Sequence, residues 1–316
     1  MKFPATKAFG ATFAYLAQHA VDLAKALWLP SALLVALQLY AAAPLFEAMA
    51  ATIALGENPE PAEAAAALGD LGKWALVLMA GSAIAYPMMT AASLIHVVRG
   101  EPLKTPFYLR YGGDELRLLA AYILLSVMII VLSIVGGLAV TVFVTIFALI
   151  LPGGRPFANW FGDLGLNIAL TWFRLRLCVL FPASMATGTI GFGAAWSITK
   201  GNAWGLFFFW ILIGLALTPI ALVMAPFAGG ILGEFSKLME VGDNTAAARE
   251  SVIAILREMS RLFSTQNPSL PAFAGVLLAT TIATTAIINV AAGIAWRYLT
   301  DSGKPRSPAA SSAMAA

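Results

Sequence analysis

Six apolar runs, each as long as a membrane-crossing helix, constrain this chain more than any other feature. They span Ala26–Ala48, Trp74–Val98, Leu118–Leu151, Trp160–Ser184, Trp204–Leu232 and Ala272–Leu299. About 20 apolar residues cross the hydrocarbon core of a bilayer as a helix. Lipid offers backbone groups no hydrogen-bond partner, so such runs satisfy themselves only as helices. Their continuity also excludes the alternating strands of a transmembrane barrel. Composition agrees: 60% of the residues are hydrophobic and 11% charged, where soluble domains carry about a quarter charged residues. The expected class is therefore an all-α, polytopic integral membrane bundle of six transmembrane helices, forming one membrane domain over residues 1–300. Trp28, Trp74, Trp160, Trp204 and Trp296 fall at segment ends, where an interfacial aromatic belt places them. The net charge of +3 is too small for a nucleic-acid binder.

Basic residues give the orientation. The loop from Arg99 to Arg117 adds Lys104 and Arg110, whereas the loop after the first run holds Glu57, Glu60, Glu63 and Asp70 and no base before Lys73. The positive-inside rule then puts both termini in the cytoplasm. The third run is long enough for a seven-span alternative, in which Gly136-Gly137 turns a hairpin. Six spans are preferred, because that stretch has no charge, Pro or Asn to build a turn. Two further segments have amphipathic spacing: residues 3–22, expected as an interfacial helix, and residues 244–264, expected against the membrane or the bundle, with Asn244-Thr245 as N-cap. The spacing of Lys2, Lys7 and Lys25 does not suit a cleavable signal peptide, so the first run reads as a retained anchor. Residues 301–316 are rich in Ala, Ser and Pro and read as a disordered tail.

Catalytic patterns are missing from the sequence. The single cysteine, Cys178, cannot form an internal disulfide, and no HExxH, Walker A, GxSxG or paired-Cys zinc spacing occurs. His19 and His96, the two histidines, read as interfacial residues rather than general bases. No cofactor or metal is expected. Arg174 and Arg176 are the charged pair within a span; about 200° apart on a helix, they suit separate headgroup contacts better than one clamp. Asp114 and Glu115 are their candidate partners. The last run carries Thr280, Thr281, Thr284, Thr285 and Asn289 at spacings that favour one face, for helix packing or a polar path. Gly229 and Gly233 at the end of the fifth run suggest close helix approach, and Pro87, Pro219 and Pro226 suggest kinks.

The stretch Phe173–Phe209, FRLRLCVLFPASMATGTIGFGAAWSITKGNAWGLFFF, has a distinctive order. An Arg-bearing span ends in Leu-Phe-Pro; Ala195-Trp196, Thr199-Lys200-Gly201-Asn202 and Trp204-Gly-Leu-Phe follow. It resembles uncharacterised bacterial polytopic inner-membrane proteins related to the membrane domain that accompanies glycerophosphodiester phosphodiesterases. The resemblance implies a six-helix bundle, an inner-membrane address and an association with lipid or envelope physiology, and it brings no catalytic residues. Arg174, Arg176, Trp196 and Lys200 become candidate lipid-headgroup contacts, with Gly201-Asn202 as a helix cap. The expected function is a non-enzymatic inner-membrane protein, lipid-associated or organising a membrane complex. A small-solute or lipid permease is the alternative. Expected partners are membrane lipids, anionic ones included, and a membrane protein or second copy, with no nucleic acid.

Overall fold

The computed structural model describes residues 2–56, 59–101, 108–151, 154–241 and 244–301. The expected tail, from residue 302 on, lies outside the described residues. All regular structure among them is helical, and six helical stretches are long and apolar enough to cross a membrane. In chain order the helices are α1 (Ala5–Ala54), α2 (Pro61–Leu94), α3 (Gly113–Ile150), α4 (Arg155–Arg176), α5 (Leu180–Thr187), α6 (Phe192–Ile198), α7 (Ala203–Val223), α8 (Gly229–Glu240), α9 (Thr245–Phe263) and α10 (Leu270–Asp301). A π-helical turn, Ile95–Arg99, extends α2.

The N-terminal segment and the first span, expected as separate elements, form one helix. α1 has 50 residues, about 75 Å at a rise of 1.5 Å per residue, far more than a core of about 30 Å needs. It bends at His19, where φ is −118° and ψ is 15°. The arm before the bend is packed into the bundle instead of lying as a separate interfacial helix: Ala8 and Thr12 are fully buried and Phe3 nearly so. Its apolar face covers α7 and α10, so the amphipathic spacing reports protein contact.

α3 is unbroken over 38 residues, which removes the Gly136-Gly137 hairpin and the seventh span. A Cβ on Gly136 would sit 2.3 Å from Leu166 Cδ1, and one on Gly162 2.6 Å from Val140 Cγ1. These glycines are where α3 and α4 touch, as small residues serve membrane helices generally.

Near prolines, one expected span is interrupted and another ends early. Residues 160–184 do not form one helix: the chain breaks over Leu177–Val179 between α4 and α5. Pro182 lacks an N–H and its ring crowds the carbonyl four residues back, so the turn tightens there; Leu177 N–H bonds Arg174 C=O at 3.1 Å, and Leu180 N–H bonds Leu177 C=O at 2.9 Å. The fifth span stops at Val223 instead of Leu232, because Pro226 falls in a short 3-10 turn, Ala225–Phe227. Gly229 and Gly233 therefore belong to α8 and meet nothing within 4 Å; the close approach is at Gly230, whose Cβ would lie 2.6 Å from Glu258 Oε2.

α9 begins as expected, with Asn244 Oδ1 accepting from Ala247 N–H at 3.2 Å. It packs on α1 and α8, and Ser260 Oγ donates to Glu47 Oε1 at 2.9 Å. The main core lies at the pole where α1 starts. Leu177, Val179, Leu180 and Ala183 of the α4–α5 region meet Phe3, Leu206, Phe209, Val290 and Ala295 there. By contrast α3 leaves Ile130, Ile134, Leu138 and Ile146 more than half exposed, as suits a lipid-facing helix.

If Gly162 is the α3–α4 contact, Gly162→Leu should cost about 1–3 kcal/mol by overpacking, read by reversible unfolding in mixed micelles. An unchanged midpoint would mean that the two helices do not touch at this register.

Candidate functional site

The candidate site residues lie in two places: the chain break that follows α4, and a groove beside α10. At the break, Arg176 turns inward. It is 6% exposed, its Nη2 donates to the Trp196 carbonyl at 2.6 Å, and its guanidinium lies 4.7 Å from the Trp196 ring and 5.7 Å from that of Trp172. A desolvated cation over aromatic faces gains about 2 kcal/mol, which helps hold Arg176 although its Nε is buried without a hydrogen-bond partner. Thr199, fully buried, donates its hydroxyl to the Arg176 carbonyl at 3.0 Å and the Ala195 carbonyl at 2.8 Å. Side chain and backbone of Arg176 thus both tie α4 to α6.

The rest of the motif receives the N-terminus. Gly201 takes the left-handed φ of +79° expected of a helix cap. Asn202 Oδ1 then accepts from the Phe3 N–H at 2.9 Å. Gly205 leaves room for this arm, since a Cβ there would come within 2.8 Å of the Phe3 carbonyl oxygen. The Phe3 ring sits edge-on to Phe209, 5.6 Å away. Arg174 and Lys200 stay exposed at the same pole. The four candidate headgroup residues are therefore divided, with Arg176 and Trp196 knotted together and Arg174 and Lys200 facing outward.

Asp114 and Glu115 do not partner the α4 arginines. Asp114 takes Arg99 in a two-point contact at 2.8 and 2.9 Å and Arg117 at 2.9 Å. Arg99 also donates to the Met185 carbonyl at 3.0 Å, joining α2, α3 and α5. Glu115 is fully buried and accepts from the Tyr108 hydroxyl and from Gly112 N–H at 2.7 Å. Burial, and after it the bond to Glu115, push the Tyr108 hydroxyl above its ordinary range, so it remains a donor to that carboxylate.

The two histidines come together from α1 and the π turn. Their rings are 4.4 Å apart, and the Tyr15 hydroxyl bonds His96 Nδ1. Among the described residues no three His, Cys, Asp or Glu side chains gather where they could hold a metal.

Thr280, Thr281, Thr284, Thr285 and Asn289 do converge. They line one groove of about 570 Å³ with Tyr86 and Thr90 of α2, Tyr122 of α3, and Leu217, Ile220, Ala221 and Met224 on α7. Thr90 Oγ1 and the Tyr122 hydroxyl share a hydrogen bond of 2.8 Å. Thr280 Oγ1 donates to the Leu277 carbonyl at 3.1 Å. Every lining group is uncharged. The groove thus brings hydroxyls and an amide from α2, α3 and α10, with Ile288 beside them, against aliphatic side chains of α7. Tyr86 and Thr90, one helical turn apart, carried that signal on α2. Tyr122, alone in an apolar run, carried none. A second cavity, of about 590 Å³, lies at the opposite pole between α9 and the residues before α10, lined by Glu47, Arg257, Glu258, Arg261 and Asn267 among others.

Arg176→Ala should destabilise the fold by about 3 kcal/mol, the loss of a charge-assisted hydrogen bond and a desolvated cation–π contact, while Arg174→Ala changes the midpoint by no more than about 0.5 kcal/mol. Unfolding of the purified variants checks this, and equal effects would contradict the inward placement of Arg176. No family model, curated protein or solved structure matches the chain.

Proposed function

We propose that the chain is a non-enzymatic, multi-pass protein of the bacterial inner membrane, with both termini in the cytoplasm, that binds a membrane lipid in the groove beside α10. The carrying observation is the composition of that groove: Thr281, Thr284, Thr285, Asn289, Tyr86 and Tyr122 opposite Leu217, Ile220 and Met224, with no charge in the lining. Hydroxyl and amide donors suit the ester and glycerol oxygens of a lipid, and the aliphatic wall suits the upper part of its acyl chains. Exposed Arg174 and Lys200 would add contacts to anionic headgroups, each a charge-assisted hydrogen bond. The resemblance of Phe173–Phe209 to inner-membrane proteins of lipid or envelope physiology supports the address and the ligand class.

A permease for lipid or a small solute is the second reading. What favours it is that Pro87 and Pro219 lie inside α2 and α7, the helices that form two sides of the groove, and prolines are where membrane helices bend.

Native mass spectrometry of the protein released from mixed-lipid micelles tests the binding reading. A bound lipid should persist, and Thr284→Val combined with Asn289→Leu should weaken it roughly tenfold, the effect of losing two hydrogen bonds of about 0.5–1.5 kcal/mol each. Retention equal to that of the unaltered protein would overturn the assignment.

A further inference from the structure

We propose that the outward face of α4 is a track along which zwitterionic phospholipid headgroups pass between the two leaflets. This extends the lipid reading to a different surface and a different activity. The stretch Phe157–Thr187 is one of the six long and apolar enough to cross a membrane. Yet Asp163, Asn167, Thr171 and Arg174 are all exposed on it. At about 100° per residue these four fall within an arc of about 80°, and they extend over about 17 Å, roughly half of the hydrocarbon core. α4 meets α3 through Gly162 and Leu166, so the polar face is turned away from that contact.

Polar and charged side chains at membrane depth ordinarily face a bundle interior or a water-filled cavity, and they mark ligand or ion pathways. Here they line the outside of the bundle, where the molecules at hand are lipids. The order of groups suits a headgroup bearing an ammonium and a phosphate. Asp163, at one end, attracts the ammonium, and Arg174, at the other, holds the phosphate oxygens. Between them Asn167 commits its Nδ2 to the Asp163 carbonyl at 2.8 Å, which leaves its Oδ1 to accept. Trp160, 60% exposed, shares this face at the Asp163 end, an amphipathic ring of the kind that favours the headgroup level. A headgroup sliding along this stripe keeps polar contacts while its acyl chains stay in lipid against the apolar face of α3. A second copy of the chain fits the stripe poorly. Two copies related by an axis along the membrane normal would set Asp163 against Asp163 and Arg174 against Arg174, and like charges brought together this way are repulsive.

The test reconstitutes the full chain in vesicles of phosphatidylcholine, phosphatidylethanolamine and phosphatidylglycerol carrying a trace of fluorescent phosphatidylcholine in both leaflets. A membrane-impermeant quencher leaves about half of the signal in vesicles where lipids do not exchange. Protein should lower the protected fraction toward zero within minutes, and Asp163→Leu with Asn167→Leu should restore it. Those changes put apolar groups on a lipid-facing surface, so the melting temperature in detergent should hold or rise. The groove variant, Thr284→Val with Asn289→Leu, should still exchange lipid, which separates this activity from lipid binding beside α10. Protection equal to protein-free vesicles, or undiminished exchange in the α4 variant, would overturn the track. So would efficient disulfide cross-linking between copies through Asn167→Cys in a Cys178→Ser background, because it would mean that a second chain covers the stripe.

Discussion

Hydrocarbon gives a polar group nothing to bond, and that constraint organises the molecule. It forces the backbone into helices, and it obliges each remaining polar side chain to find protein, reach an aqueous end, or face lipid at a cost. All three outcomes occur here. Arg176, Glu115 and the Arg99–Asp114–Arg117 cluster find protein. Lys200 stays exposed at the pole where the chain starts. Asp163 and Asn167 remain exposed within a spanning stretch.

The knot at the α1 pole follows from a covalent fact, the ring of Pro182. By ending α4 at Arg176 it turns the next residues across the bundle as the short helices α5 and α6. Arg176 can then reach the Trp196 carbonyl, Thr199 can close back on Arg176, and Asn202 can hold the amide of Phe3. An uninterrupted fourth helix would carry residues 177–184 onward along its own axis and leave the N-terminal arm without a seat. The motif is thus first a folding device, and Arg174 and Lys200 are the cations it leaves exposed.

Most of the architecture was legible in the sequence because its source is one-dimensional. Runs of apolar residues give six spans, and a missing turn signal at Gly136-Gly137 gives a continuous third helix. Proline was one source of error: at Pro226 a kink was expected but the span ended before it, and Pro182, for which no break was expected, follows the interruption between α4 and α5. Two apolar sides of one segment likewise look the same to periodicity whether they meet lipid or protein, which is why residues 3–22 read as interfacial while Phe3 is buried against Phe209. The threonines of α10 could be placed on one face by spacing alone. Their companions Tyr86, Thr90 and Tyr122 come from helices whose mutual rotation no local pattern encodes, and the same holds for the meeting of His19 and His96.

We propose that the hydroxyl-lined groove between α2, α7 and α10 holds lipid. Photocross-linking tests it most directly, using a phosphatidylglycerol with a diazirine on the first carbons of one acyl chain, incorporated into native membranes and mapped by peptide mass spectrometry. Adducts should concentrate on the groove wall, on peptides covering Leu217–Met224 and Thr281–Asn289. Adducts confined to the exposed surface of α3, with none on those two segments, would contradict it.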